Sequence, residues 1–139
     1  MTTIKHILEI LGNTEHVKIE NGAFMPLSIE MIGQGPHGLP AISVCHYGEQ
    51  SGDLMRDPEM CFEITPDGKF HPYYFRNDYT GTEQEVYFRT EDGREMIRPR
   101  LKKELASFAR QWSANLREQG FIKAARLQAR QILTFEKAA

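Results

Sequence analysis

From residue 17 to residue 97 the chain alternates apolar and polar residues in short runs, and Gly, Asn, Asp and Pro residues separate the runs. Alternation with a period of two is typical of β-strands that bury one face, and short turns between such strands favour an antiparallel meander. The clearest turn signals are Asn21-Gly22, residues 65–69 and residues 91–93. The pattern therefore predicts a mostly antiparallel sheet of five to six strands.

Helical periodicity is present at the two ends of the chain. Near the N-terminus, apolar residues spaced three or four apart predict a short helix over residues 3–11. After Pro99 a longer stripe with a period of 3.6 predicts a helix that ends near Gly120. A weaker apolar face runs through residues 121–137, so this segment is either a second C-terminal helix or a peripheral helical tail over residues 121–139.

Together these elements predict an α+β fold in which the helices at both ends pack on one face of the sheet. The length of 139 residues is that of one domain, which we place at residues 1–139. We expect the buried sheet face to pack against Leu105, Phe108 and Trp112 of the long helix. Either Val86 or Phe88 should belong to this face.

The central hairpin can be given a register from the sequence. The residues that share the apolar face are Ile42, Val44 and His46 on one strand and Met60, Phe62 and Ile64 on the next. Pairing positions whose numbers sum to 106 buries this face and sets Cys45 opposite Cys61 on the other face. Opposed cysteines can form a cross-strand disulfide, but a reducing cytosol favours two free thiols.

The following strand, residues 70–76, is aromatic on both faces, so its register stays open. A two-residue turn would point Tyr73 and Phe75 to the core, whereas a three-residue turn would point Phe70 and Tyr74 there. Pro72 cannot donate a hydrogen bond to a neighbouring strand, so we expect a bulge or a sheet edge at this position.

Residues 46–59 are dense in polar and ionisable side chains and lie between two predicted strands, so we interpret them as a polar loop. Loops held by a rigid scaffold often carry binding residues. The candidate binding residues are Glu49, Gln50, Asp53, Arg56, Asp57 and Glu59 from this stretch and Tyr79 from a later turn.

No catalytic motif of known mechanism is present, so we assign no catalytic residue and expect a protein that is not an enzyme. The residue types of a divalent metal site are available in His46, Asp53, Asp57, Glu59 and His71. Their spacing matches no known metal site, and the hydrogen bonding of turns accounts for the acids better. We therefore expect neither a metal nor a cofactor, and a small metal-dependent enzyme is the less favoured alternative.

The charges are divided unevenly along the chain. Residues 1–93 hold 6 Lys and Arg against 15 Asp and Glu, a net charge of −9, whereas residues 94–139 hold 11 against 4, a net charge of +7. The basic residues cluster at the start of the long helix as Arg94, Arg98, Arg100, Lys102 and Lys103. Cations at a helix N-terminus oppose the helix dipole, so this cluster either packs against the protein's own acidic face or meets an anionic partner such as nucleic acid.

Composition places the chain among ordinary globular proteins, since 40% of its residues are hydrophobic and 26% are charged. No apolar run approaches the length that a membrane helix needs, and the first residues lack the basic flank and apolar core of a signal peptide. We therefore expect a cytoplasmic protein of a bacterial host cell that has no membrane partner. The oligomeric state is left open.

Three segments resemble an uncharacterised bacterial domain family that is carried largely on plasmids, phages and integrative elements. The matching segments are GLPAISVCHYGEQ at residues 38–50, GDLMRDPEM at residues 52–60 and PYYFRNDY at residues 72–79. The resemblance spans about residues 1–120, and the family has no assigned catalytic residues. It implies a small accessory protein of mobile DNA.

The chain also resembles, more faintly, the small anti-CRISPR inhibitors of Cas9-type nucleases. This resemblance implies a non-enzymatic protein that binds a host defence nuclease or its complex with guide RNA. An acidic surface that competes with DNA for a basic channel is the physical basis of this hypothesis. A nucleic-acid-binding protein that uses the basic C-terminal helices is the alternative.

Overall fold

The computed structural model describes residues 1–12 and 14–138, which form an α+β fold as predicted. Three helices and eight strands are present in these residues. The helices are α1 (Thr2–Leu11), α2 (Pro99–Glu118) and α3 (Phe121–Ala138). The strands are β1 (His16–Asn21), β2 (Phe24–Gln34), β3 (Pro40–Gln50), β4 (Asp53–Ile64), β5 (Phe70–Asn77), β6 (Thr82–Glu85), β7 (Tyr87–Arg89) and β8 (Glu95–Ile97).

The first six strands form one antiparallel meander in the order β1-β2-β3-β4-β5-β6, which confirms the predicted sheet. The last two strands form a separate hairpin, β7-β8. Val86 lies between β6 and β7, where its N–H donates to the carbonyl of Tyr73 at 3.0 Å and its carbonyl accepts from Arg98 at 2.8 Å. Val86 is fully buried in the core, so of the two alternatives at this edge it is Val86 that joins the core.

The register predicted for the central hairpin is wrong by two residues. Ile42 lies opposite Phe62 and Val44 lies opposite Met60, so paired numbers sum to 104 instead of 106. A shift of two keeps every side chain on its own face, and the apolar pattern therefore fits both registers equally well.

The same shift separates the two thiols. Cys45 lies opposite Glu59, and Ser43 lies opposite Cys61, so the cysteines are diagonal neighbours on the face away from the helices. Diagonal positions in an antiparallel pair are about 7–8 Å apart, beyond the usual Cα separation of a disulfide. Both cysteines are free and buried.

Strand β5 combines the two registers that the sequence left open. The pairing of β4 with β5 shifts between Cys61 and Phe62, next to the predicted bulge at Pro72. Because the shift changes which positions face the helices, Phe70 and Phe75 both pack against the core. The bulge therefore places one aromatic residue from each predicted alternative on the same face.

The helices cover one face of the meander. Trp112 of α2 is buried, and its ring centroid lies 5.6 Å from that of His46, the buried histidine at the end of the apolar face. Phe108 meets the sheet as predicted, since its ring centroid lies 5.3 Å from that of Phe75, but 41% of its surface stays exposed. It sits at the margin of α2 and the sheet.

Two hydrogen bonds join the N-terminal helix α1 to α2. The hydroxyl of Thr3 donates to the carbonyl of Ser113 at 2.6 Å, and the N–H of Thr3 donates to the Ser113 hydroxyl at 3.1 Å. Both residues are buried. These bonds satisfy polar groups at a helix crossing and fix α1 against α2.

Candidate functional site

The segment that we interpreted as a polar loop is the end of a long hairpin, and the loop prediction is wrong. Strands β3 and β4 continue to Gln50 and Asp53 and are joined only by Ser51 and Gly52. Both turn residues have positive φ, 52° and 86°, as two-residue hairpin turns of type I′ require. Ser-Gly is a weaker signal for this turn than Asn-Gly or Asp-Gly, which is why the sequence suggested a loop.

We call residues 48–55 the acidic hairpin tip. Glu49, Gln50 and Asp53, three of the predicted binding residues, are exposed there. Leu54 is 64% exposed beside them. The tip contains two carboxylates and no basic residue, so it presents negative charge around one apolar side chain.

The tip is braced by the turn between β5 and β6. The hydroxyl of Tyr79 lies so close to the backbone of Gly48 that a Cβ atom at that position would overlap it. The Met25 sulfur lies on the same side, 3.3 Å from the site of such a Cβ atom. Tyr79 keeps 46% of its surface exposed, so it both supports the hairpin and remains available for binding.

Asp78 fastens the same turn to β4. Its Oδ2 accepts the N–H of Arg56 at 2.9 Å, and its Oδ1 accepts from Nε of Arg76 at 2.8 Å. The N–H of Arg56 and the guanidinium of Arg76 lower the pKa of this carboxyl below its usual value. In return the N–H of Asp78 donates to the carbonyl of Arg56 at 2.9 Å.

Three of the predicted binding residues are engaged inside the protein. Oδ1 of Asp57 accepts from the side-chain amide of Asn77 at 2.9 Å, and Asp57 is half-buried. Oε2 of Glu59 accepts from the Ser43 hydroxyl at 2.6 Å, and Oε1 of Glu59 lies 3.8 Å from Nε of Arg56. These three charged residues therefore support the hairpin from within.

The thiols beside Glu59 are protonated at neutral pH. Burial raises the pKa of Cys45 to about 12, and the charge of Glu59 adds to the effect. Burial and the same carboxylate raise the pKa of Cys61 to about 12. A thiol is a weak nucleophile compared with its thiolate, so neither cysteine is activated for covalent chemistry.

The predicted basic cluster is partly neutralised. Nε of Arg94 lies 3.0 Å from Asp92, and Nε of Arg100 lies 3.2 Å from Glu104. Arg98 stacks on Phe88, with 4.0 Å between its guanidinium and the ring centroid. The remaining members, Lys102 and Lys103, are exposed on α2.

An open groove of about 760 Å³ runs between β6 and the start of α2. Arg98 and Arg100 line it together with Glu83, Glu85 and Glu104. Because carboxylates outnumber guanidinium groups, the groove does not favour an anion.

A buried carboxylate that we did not predict lies at the opposite end of the sheet. Glu63 is only 3% exposed, and its Oε1 lies 2.7 Å from Nδ1 of His37. Its Oε2 accepts the backbone N–H groups of His37 at 2.9 Å and Leu39 at 3.2 Å. Although burial opposes ionisation, these hydrogen bonds together lower the pKa of Glu63. Glu63 thus holds the β2–β3 connection onto the sheet.

Within residues 1–12 and 14–138, no group of three or more His, Cys, Asp and Glu side chains is arranged to hold a metal ion. Over the same part of the chain, no helix has an apolar stretch long enough to span a bilayer.

Comparison with known proteins identifies a family. No curated protein and no solved structure gives a significant match to the chain. A family model described as a domain of unknown function (DUF6908) matches residues 2–122, which is most of the chain. The chain therefore belongs to this family of domains of unknown function.

Proposed function

We propose that the protein is a non-enzymatic inhibitor that binds a host defence nuclease of the Cas9 type through the acidic hairpin tip. The tip would occupy part of the basic channel that otherwise holds nucleic acid. The observation that carries the proposal is the exposure of Glu49, Asp53 and Leu54 at the end of a braced hairpin.

The rigidity of the tip supports a binding role. The ladder between β3 and β4 continues to the turn, and Tyr79 and Asp78 connect the hairpin to its neighbour. A surface that is already ordered loses little conformational entropy when it binds, so more of the contact energy appears as affinity. Acidic groups that face a basic channel also accelerate association.

The chemistry of the surrounding groups supports binding over catalysis. The two thiols are protonated, and Asp57, Asp78 and Glu59 are engaged in hydrogen bonds that hold strands and turns together. These carboxylates therefore stabilise the strands and turns that carry the acidic hairpin tip.

The mobile-DNA setting of the proposal rests on the resemblance of residues 38–50, 52–60 and 72–79 to domains carried by plasmids, phages and integrative elements. An inhibitor of a nuclease that destroys foreign DNA would benefit such an element. The target would lie in the bacterial cytoplasm.

The test is an association measurement between the purified protein and a Cas9–guide RNA complex. We expect stoichiometric binding that a DNA target displaces. The variant Glu49→Lys with Asp53→Lys should lose this binding, because it reverses the charge of the tip. A matched control, Glu9→Lys with Glu118→Lys, makes the same net charge change at exposed helical positions and should bind normally. Equal loss in both variants would show that total charge matters and would refute a role specific to the tip.

One observation favours nucleic-acid binding as the second candidate. Lys123, Arg126, Arg130 and Lys137 lie on one side of α3. Phosphate binding by such a surface would give an affinity that falls steeply with salt. Titration of single-stranded and double-stranded DNA and of RNA at two salt concentrations tests this function independently of the nuclease.

A further inference from the structure

Strand β5 presents two consecutive tyrosines on the face of the sheet that points away from the helices. Phe75 packs against the core, so its neighbour Tyr74 points to the opposite face. On the other side of the bulge, Pro72 lies opposite the fully buried Phe62, so Tyr73 also points away from the core. Successive side chains of a regular strand would alternate between the two faces. The bulge therefore brings the rings of Tyr73 and Tyr74 to the same face.

A third tyrosine completes a cleft on this face. Glu85, the last residue of β6, lies opposite Tyr74, and Tyr87 follows at the start of β7. A cavity of about 200 Å³ is lined by Tyr73, Tyr74, Tyr87, Glu85 and Pro36. We call it the tyrosine cleft. Because its volume lies below the roughly 300–1,000 Å³ of pockets for drug-sized ligands, the cleft suits a small head group.

Two of the three rings are held by neighbouring side chains. The hydroxyl of Tyr74 donates to Oε1 of Glu83 at 2.8 Å. The ring of His37 packs against that of Tyr87, with 4.5 Å between the ring centroids and 85° between the ring planes. His37 is in turn held by its contact with the buried Glu63. Walls that are ordered in advance lose little conformational entropy when a ligand binds.

The surroundings of the cleft are negative. Glu85 is exposed at its edge, and none of the lining residues that the structure describes is basic. Burial raises the pKa of Tyr73 to about 12, and the nearby groups Cys61, Glu63 and Glu59 add to the effect. The phenol of Tyr73 is therefore uncharged at neutral pH and lies close to carboxylates. A cleft with one sign of charge favours a ligand of the opposite sign, here a cation.

The two guanidinium groups nearest in sequence are engaged outside the cleft. Nε of Arg76 lies 2.8 Å from Oδ1 of Asp78. Arg98 stacks on Phe88 and donates to the backbone carbonyl of Glu85 at 2.8 Å. Neither arginine lines the cleft. The side-chain carboxylate of Glu85 and the three rings therefore face a space that no arginine of the described residues fills.

We propose that the tyrosine cleft binds a quaternary ammonium head group, with the three rings around its methyl groups and the Glu85 carboxylate beside its charge. The face of a tyrosine ring is negative and attracts a cation that lies over it. A quaternary ammonium has no N–H to donate, so aromatic rings suit it better than hydrogen-bond acceptors do. The cleft reaches the β2–β3 connection, at the opposite end of β3 from the acidic hairpin tip, so this function is separate from the proposed inhibition.

A choline titration, followed by nuclear magnetic resonance of the backbone amides of Tyr74 and Tyr87, tests the proposal. Choline should shift both amide signals. Neohexanol, in which carbon replaces the choline nitrogen, has the same shape without the charge and should bind at least about tenfold more weakly. A peptide that contains one trimethyllysine should shift the same signals. Tighter binding of the peptide would assign the natural ligand to a protein side chain, and tighter binding of choline would assign it to a free quaternary amine.

Variants test the rings and the carboxylate separately. Tyr73→Leu should weaken choline binding about 2- to 25-fold, because one ring is lost, and Tyr73→Phe should bind more tightly than Tyr73→Leu. Glu85→Gln should weaken choline binding about 2- to 5-fold, because Glu85 is exposed and its charge is partly screened. The matched control Glu91→Gln removes a carboxylate from the exposed turn between β7 and β8 and should bind like the wild type.

The dispersion of the amide signals shows whether each variant is folded. Since Glu85 is exposed, Glu85→Gln remains informative even if Tyr73→Leu unfolds. The proposal would be overturned if choline left both amides unshifted up to about 50 mM. Equal binding of neohexanol and choline would show an apolar pocket without cation recognition and would equally overturn it. Wild-type affinity in folded Tyr73→Leu and in Glu85→Gln would place the choline outside the cleft.

Discussion

Removing the side chain of Glu63 should cost a large part of the stability of the fold. In Glu63→Ala the backbone N–H groups of His37 and Leu39 lose their acceptor. A buried donor left without a partner costs about 1–3 kcal/mol. Because His37 is itself exposed, water can reach part of this site, and we expect a total loss of about 2–4 kcal/mol in the free energy of unfolding.

Glu63→Gln is the matched variant. The amide oxygen can still accept the two backbone N–H groups, so the variant loses mainly the charge-assisted character of the bonds. We expect a cost of about 1–2 kcal/mol, clearly below that of alanine. The assay is urea unfolding followed by the fluorescence of Trp112, the single tryptophan.

The pH dependence follows from the sign of the pKa shift. The pKa of Glu63 is lower in the folded protein than its ordinary value of 4.5. The unfolded chain therefore takes up a proton more readily, and the stabilisation by this carboxylate is complete above pH 4.5. It is lost as the pH falls through the folded-state pKa. The stability difference between wild type and Glu63→Gln should accordingly shrink in acid.

Two results would refute this reasoning. A cost below about 0.5 kcal/mol for Glu63→Ala is what a surface position gives, and it would show that the buried hydrogen bonds do not stabilise the fold. A difference between wild type and Glu63→Gln that grows in acid would contradict a lowered pKa.

Three further predictions concern the core, the hairpin and the thiols. Trp112→Ala should lower the free energy of unfolding by about 3–5 kcal/mol, because the indole ring is buried in the core. Urea unfolding followed by circular dichroism measures this loss, and a loss below about 0.5 kcal/mol would contradict the burial of Trp112. Gly48→Ala should lower the free energy of unfolding by about 1–3 kcal/mol, because the new Cβ atom overlaps the Tyr79 hydroxyl. Adding Tyr79→Phe removes that hydroxyl and should restore most of the lost stability. If the double variant is no more stable than Gly48→Ala, the overlap is not the cause. A disulfide reagent at neutral pH should leave Cys45 and Cys61 unmodified until the protein is unfolded, and rapid labelling of native protein would show that the thiols are accessible and reactive.

The fold class and the order of the strands could be predicted because local patterns determine them. Alternation marked β1 to β4, and the change of period after Pro99 marked α2. The register of β3 and β4 could not be obtained in this way, because a shift of two leaves the same residues on each face. Only contacts with the rest of the core distinguish the two registers.

Local sequence located the polar residues of the candidate site but not the structure that holds them. Glu49, Gln50 and Asp53 lie at the end of a hairpin, which the sequence did not reveal because Ser51-Gly52 is a weak turn signal. Asp57 and Glu59 are equally polar in sequence, but their roles depend on Asn77 and Ser43, which lie 20 and 16 residues away. Glu63 escaped prediction for the same reason, since its partners are 24 to 26 residues away.

The most direct measurement of the proposed inhibition is DNA cleavage by a Cas9–guide RNA complex that is titrated with this protein. We expect cleavage to stop near an equimolar ratio, and we expect the variant Glu49→Lys with Asp53→Lys to leave cleavage intact. The control Glu9→Lys with Glu118→Lys should inhibit like the wild type. Undiminished cleavage in the presence of excess wild-type protein would contradict the proposal for this nuclease, and full inhibition by the tip variant would show that the acidic hairpin tip is not the interface.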